Sequence, residues 1–263
     1  MIPKPHIAKW QQYAPWKEFA QVEQDLIISR TLVEIFSDEF LRKNLALRGG
    51  TALHKLYLNP AARYSEDIDL VQIKPGPIKP IMQRIGEVVT FFEEKRATQV
   101  RGHGAKALYR FTSGYEEIRM RLKLEVNCKE HFNVLNWVDF PFEVESEWFS
   151  GKAEIRTYNI NEPLGTKLTA LYQRSKGRDL FDLDYSRQNI DLNYEKVIAC
   201  FKDYTSFSTG KRPPSKKEFL LNIEEKENSA EFTGGMEALL RPEIKYNQSE
   251  AFDWLKTELI AEI

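Results

Sequence analysis

Three groups of residues in this chain have types and spacings that chemistry can use. The first is the carboxylate pair of "EDIDLVQI", Asp67 and Asp69. On a strand, successive side chains point to opposite faces, so Ile68 and Leu70 share one face and Asp67, Asp69 and Val71 the other. At ~3.3 Å rise per residue the two aspartates have Cα atoms roughly 6.5–7 Å apart. Like charges at that range repel, and a hard divalent cation, Mg²⁺ or Mn²⁺, removes the repulsion. Taken alone, a D-x-D is common and reads more simply as two solvated acids at a strand end. In "IRMRLKLEVN", Met120, Leu122, Leu124 and Val126 form one face, and Glu125 is the only acid on a basic opposite face. If that strand neighbours the D-x-D strand, Glu125 is a candidate third carboxylate, and three acids can hold two metals. A simple cross-strand ion pair is the structural alternative.

The second group is "LRGGTALHKLY". Gly49 and Gly50 permit a tight turn and close backbone approach, and Thr51 offers a hydroxyl and an N–H at a helix start, where anions such as phosphate are favoured. The Walker spacing is absent, and a Gly-Gly-Thr by itself is more often only a turn. The third group lies in "PLGTKLTALYQRSKGRDLFDL". Lys167 falls on the apolar face of Leu164, Leu168 and Leu171, where a lysine is unfavourable unless its amine snorkels to water or meets an anion. Asp179 and Asp182 follow three apart on one helical face, with Arg178 beside them. They read either as a solvated charged face or as acids that orient Lys167.

The elements that must position these groups are legible as periodicity. Residues 22–42 predict one amphipathic helix. "NLALRGG" predicts a buried strand that ends in a turn, and "TALHKLYL" a helix with Thr51 near its start. "DIDLVQI" predicts a strand stopped by "KPGPIKP", and 78–96 a second helix. "KALYRFTS", "IRMRLKLEVN" and "KAEIRTYNI" predict further strands. Beyond Pro163 the pattern is helical, except for the polar segment 222–231, which predicts a solvated loop. The closing "SEAFDWLKTELIAEI" predicts a helix capped by Ser249. The fold class is therefore α+β: a mixed sheet flanked by helices over 1–160, followed by a mainly helical part over 161–263 that completes an active-site cleft.

Composition narrows the setting. The chain has 263 residues, 42% hydrophobic and 29% charged, and a formal net charge of −1, as in an ordinary globular protein. Polyanion binding then needs a local basic surface rather than bulk charge. Cys128 and Cys200 are too few for a disulfide scaffold and have no metal spacing. No stretch approaches the ~20 apolar residues of a membrane helix, and the N-terminal region lacks a signal-peptide core. These features predict a cytoplasmic protein with no membrane partner. Arg174, Lys176, Arg178, Arg187, Lys196, Lys202, Lys211, Arg212, Lys216 and Lys217 load the second half with positive charge, part of it in the loop "GKRPPSKK". That charge is either solvated or a surface for RNA.

Taken together, "LRGGTALHKLY", "RYSEDIDL", "LEVN" and "KLTALYQRSKGRDLFDL" resemble the AbiEii-type nucleotidyltransferases, which include the MenT toxins, within the polymerase-beta-like nucleotidyltransferase superfamily. The resemblance covers roughly residues 40 to 185. It implies a nucleotidyltransferase fold in the N-terminal part and a metal-dependent transferase that moves a nucleotide from a nucleoside triphosphate to an acceptor such as a tRNA 3′ end. It also implies the toxin role in a type IV toxin–antitoxin or abortive-infection system, with a cognate antitoxin as partner. By position, it assigns Gly49, Gly50, Thr51 and Ser65 to nucleotide, Asp67 and Asp69 to catalysis and metal, and Glu125 to metal. Lys167 falls to phosphate, Asp179 is the acid that follows it, and Asp182 and Arg178 are further candidates. Thr51 stands where the wider superfamily has serine, which keeps the hydroxyl. The loop before Asp67 is longer than in the minimal motif, and Arg63, Tyr64 and Ser65 in it are placed to touch substrate. Two rival readings stay open: a catalytically inactive nucleotide-binding regulatory module, and a metal-dependent glycosyltransferase, since D-x-D also binds sugar nucleotides.

Overall fold

Alternation within the strands decides which sheet face is apolar, and the helices gather on that face. The computed structural model describes residues 2–102 and 104–263. These form two compact units, one of residues up to 133 together with 137–158, the other of 134–136 and 159–263.

The first unit opens with α1 (Lys4–Trp10), α2 (Phe19–Ser37) and α3 (Glu39–Asn44). The predicted single helix over 22–42 is in fact two. Asp38 is extended, and its carboxylate accepts from Leu41 N, so a new helix begins there. Strand β1 (Leu45–Arg48) leads into α4 (Gly49–Ala52), which continues as a π turn over Leu53–Tyr57. Strand β2 (Asp67–Gln72) and α5 (Ile78–Val88) follow. Helix α5 stops earlier than the periodicity of 78–96 predicts. The β-branched run Val88-Val89-Thr90 is a poor helix former, and beyond it Phe91 and Phe92 pack against the core from irregular chain.

Strands β3 (Ala97–Arg101), β4 (Gly104–Thr112) and β5 (Arg119–Asn127) complete a five-stranded sheet of order β1-β2-β5-β4-β3. β2 and β5 run parallel and the other neighbours antiparallel, which makes the sheet mixed. Ile68, Leu70, Leu122, Leu124, Val126, Ala105, Ala107 and Tyr109 face one core with Leu26, Ile28 and Leu32 of α2 and Ile81 and Ile85 of α5. A two-stranded ribbon, β6 (Trp137–Glu145) with β7 (Ser150–Tyr158), closes the unit. Thr157 Oγ1 donates to Leu47 O at 2.8 Å and ties the ribbon to β1. β3 and β6 escaped the periodicity reading: all of β3 is exposed, and β6 carries Pro141 in its middle.

The second unit is helical: α6 (Asn161–Gln173), α7 (Gly177–Asn189), α8 (Tyr194–Thr209), α9 (Lys216–Glu227), α10 (Ala230–Thr233) and α11 (Gln248–Trp254). Glu162 is fully buried, accepting from Val134 N, Leu135 N and Tyr204 Oη at 2.8 Å each. The solvated loop predicted over 222–231 is helical through Glu227. A capping box of Ser215 and Glu218 starts α9, and buried Phe219 and Ile223 anchor it. Buried Lys226 donates to Leu171 O and Tyr172 O, the last carbonyls of α6. The cap of α11 is Asn247, which accepts from Glu250 N, rather than Ser249.

Candidate functional site

Register brings the acids together. β2 and β5 are adjacent and parallel, with Asp69 directly opposite Glu125 and Asp67 opposite Lys123. Asp67, Asp69 and Glu125 therefore share the sheet face away from the helices, a neighbourhood the sequence could pose only as a condition. Asp67 Oδ2 pairs with Lys123 Nζ at 2.7 Å, and the same ammonium lies 3.7 Å from Glu125 Oε1. Lys106 also pairs with Glu125. Burial works against the Lys123 charge, but Asp67, Glu125 and Asp69 outweigh it and hold its pKa above the ordinary value. Burial pushes the Asp69 carboxyl above the usual range. Arg48 opposes that shift, and the like charges of Asp67 and Glu125 add to it.

The donor set suits a divalent cation. All three groups are hard oxygen ligands on one face, and the Lys123 ammonium lies 2.7 Å from Asp67 Oδ2 and 3.7 Å from Glu125 Oε1. Among the described residues no three His, Cys, Asp or Glu side chains converge at ligand distance. A metal would replace the lysines as counter-charge.

The glycine turn abuts this face. Arg48 is opposite Asp69 across β1 and β2, and Gly49 follows it at φ +76°, a left-handed conformation that costs any L side chain. A Cβ on Gly49 would lie 2.6 Å from Asp69 Oδ2, and one on Gly50 would lie 2.5 Å from Arg63 Nη2. The first N–H groups of the helix that begins here have no partner four residues back. Thr51 is buried, and its hydroxyl is already committed. It donates to Asp67 O and lies 2.8 Å from Ser65 Oγ. These contacts lock the turn onto the start of β2. Arg63, expected in a substrate loop, is buried over Gly50 and donates to Tyr64 O at 3.0 Å.

The second unit holds the other cluster. Leu164, Leu168 and Leu171 are fully buried and Lys167 nearly so, as its place on their face requires. Its amine reaches Asp182 Oδ2 at 2.7 Å and Asp179 Oδ1 at 3.2 Å, and both acids are fully buried. Arg174 grips Asp179 with two bonds of 2.7 and 2.9 Å. Desolvation raises the Asp179 pKa, but Lys167 and Arg174 overcome it and hold the carboxyl below the ordinary value. The acids are not a solvated face, and the guanidinium that pairs with Asp179 is that of Arg174, not Arg178. Arg174 was legible only as one of many basic residues: it follows the last turn of α6, and its reach to Asp179 depends on how the chain turns into α7. The loop "GKRPPSKK" is less cationic than its composition implies, because Arg212 pairs with Glu218 at 2.8 and 2.9 Å.

No helix among the described residues is long and apolar enough to cross a membrane. Residues 30–258 match the sequence profile of the family described as nucleotidyl transferase AbiEii toxin, type IV toxin–antitoxin system. No curated protein sequence matches the chain. Among solved structures, MenT4, a nucleotidyltransferase toxin of Mycobacterium tuberculosis H37Rv, is similar over 100% of this chain and 91% of its own, at 16% identity and a TM-score of 0.69. JHP933 of Helicobacter pylori is similar over 94% of this chain and 92% of its own, at 19% identity and a TM-score of 0.55. At these identities the likeness is one of fold.

Proposed function

Because this chain belongs to the AbiEii nucleotidyltransferase toxin family of type IV toxin–antitoxin systems, we propose that it is a cytoplasmic enzyme that uses Mg²⁺ or Mn²⁺ to transfer a nucleotide from a nucleoside triphosphate to an acceptor, foremost a tRNA 3′ end. A separately encoded antitoxin opposes it, and toxicity follows from an acceptor end that can no longer be charged with an amino acid. The observation that carries this reading is the register that sets Asp69 opposite Glu125, with Asp67 on the same face and the Gly49 turn in contact with Asp69.

In this reading Asp67 and Asp69 hold the divalent metal and Glu125 is the third acid. The metal, when bound, neutralises triphosphate charge and activates the acceptor oxygen. Gly49 and Gly50 let the backbone N–H groups approach phosphate. Thr51 and Ser65 keep the turn and β2 in one piece through their mutual contact and the bond to Asp67 O. Lys167 contacts a phosphate, and Asp179, with Asp182, orients it. Lys123 and Lys106 balance the acids before metal and nucleotide arrive.

The test is to incubate purified protein with each of the four labelled triphosphates, Mg²⁺ or Mn²⁺, and total RNA. Label moves to RNA in the wild type and not in Asp67→Asn or Asp69→Asn. Absence of transfer to any RNA or protein under all four triphosphates overturns the reading, and triphosphate binding without transfer points to a regulatory module instead.

A further inference from the structure

The face of the sheet that carries the acids also carries a row of cations. Arg119, Arg121 and Lys123 alternate along β5, so their side chains recur about every 6.6 Å at ~3.3 Å per residue. On β4, Arg110 stands directly opposite Arg121, with Arg119 and Lys123 at its two diagonal positions. Like charges directly opposite on neighbouring strands destabilise a sheet. Yet Arg110 and Arg121 are both exposed, and among the described residues neither forms an ion pair. Glu94 accepts two bonds from Arg119, which chiefly hold its pKa below the ordinary value, with a smaller contribution from Arg110. The sheet thus sets two exposed guanidinium groups directly opposite each other without an ion-paired acid on either among the described residues.

The row is fixed relative to the acids. It ends at Lys123, whose amine lies 2.7 Å from Asp67 Oδ2. Buried Gln24 of α2 donates to Arg121 O at 3.1 Å and to Glu66 O at 2.9 Å, so one side chain clamps the middle of the row to the residue that precedes Asp67.

We propose that Arg110, Arg119 and Arg121 form the seat of the acceptor's phosphodiester backbone, an RNA strand laid along β5 so that its end meets Asp67 and Asp69. The inference rests on the transferase reading above. Guanidinium groups bind phosphate oxygens in bidentate fashion, and a regular cation repeat on an exposed strand face matches a regularly spaced polyanion better than the irregular charges of an acidic protein. The expected interface is the sheet of the first unit, not the basic loop "GKRPPSKK".

The test is fluorescence anisotropy of a 5′-labelled RNA with a free 3′ end, titrated with full-length protein over a salt series without triphosphate. Arg110→Gln/Arg121→Gln should lose at least tenfold in affinity at low salt. Its salt slope should fall by about 1.4, from two phosphate contacts at ~0.7 each on a single strand. Its melting temperature should not fall, because the substitution removes like charges from directly opposite positions, and its affinity for triphosphate should stay at the wild-type value. Arg110→Lys/Arg121→Lys, which keeps the charge, should keep most of the slope. The proposal is overturned if the glutamine variant binds RNA with unchanged affinity and slope, if the wild type binds no RNA, or if polyglutamate displaces RNA as well as unlabelled RNA does. Loss of binding with the expected slope in a protein that transfers no nucleotide supports the seat and refutes the transferase reading. Normal transfer to RNA by the glutamine variant refutes the seat and leaves the transferase reading standing.

Discussion

Replacing Lys167 by alanine should unfold this protein more readily as well as inactivate it. The amine is the cation shared by two fully buried carboxylates, 2.7 Å from Asp182 and 3.2 Å from Asp179. Removing one partner of a buried ion pair leaves an uncompensated charge in a low-dielectric interior, which costs about 3–5 kcal/mol. Arg174 still serves Asp179, but it is 46% exposed and its screening by water is correspondingly greater. At about 2–4 °C per kcal/mol for a protein of this size, the melting temperature should fall by roughly 6–20 °C. The pH dependence supplies a second signature. In the wild type Asp179 titrates below its ordinary value. The unfolded state then binds more protons near pH 4, and stability is lost as pH falls through the folded pKa. In Lys167→Ala the largest charge that opposes burial is gone, so the Asp179 carboxyl rises relative to the wild type. The stability that Asp179 gains as pH rises should therefore be smaller in the variant, with the largest difference between the two proteins near neutrality. Lys167→Met/Asp182→Asn, which removes cation and anion together, should recover much of the stability but none of the activity. Thermal denaturation followed by circular dichroism at several pH values measures all of this. A Lys167→Ala protein that melts within about 2 °C of wild type at pH 7 would refute the reasoning, because Lys167 would then have to be a free surface amine.

Gly49→Ala should cost about 1–2 kcal/mol from its left-handed backbone alone, and the new Cβ should push Asp69 aside. The melting temperature and metal affinity by calorimetry should fall together, and a wild-type value for both would remove Gly49 from the site. Asp69→Asn should abolish transfer while leaving the melting temperature unchanged or higher, since it removes the cost of burying the carboxylate and, secondarily, its repulsion with Asp67 and Glu125; a lowered melting temperature would contradict this. Thr51→Val should lose about 1 kcal/mol through the bonds to Asp67 O and Ser65, and Thr51→Ser should not; equal denaturation midpoints for the two variants would show that the hydroxyl is not the tie.

What could be read without a structure was whatever depends on neighbours along the chain. Alternation at 67–70 and 119–127 placed each acid on a face, helical spacing placed Lys167 among Leu164, Leu168 and Leu171, and the glycine pair marked a turn. Local pattern misled where a single side chain or a tertiary contact overrode it. Asp38 splits a continuous apolar stripe by capping a new helix, and buried Phe219, Ile223 and Lys226 hold as helix a segment whose composition is that of a loop.

The pairings between distant segments belonged to the tertiary structure alone. Parallel register sets Asp69 against Glu125, and antiparallel register sets Arg110 against Arg121. Helix packing turns Asp179 and Asp182 from a nominally solvated face into two buried acids on one lysine. The physical reason is the same in each case. A residue's type and face follow from backbone geometry over a few positions, whereas a charge's partner, its burial and hence its pKa depend on which strand or helix comes alongside, and that is decided by burial of the whole core.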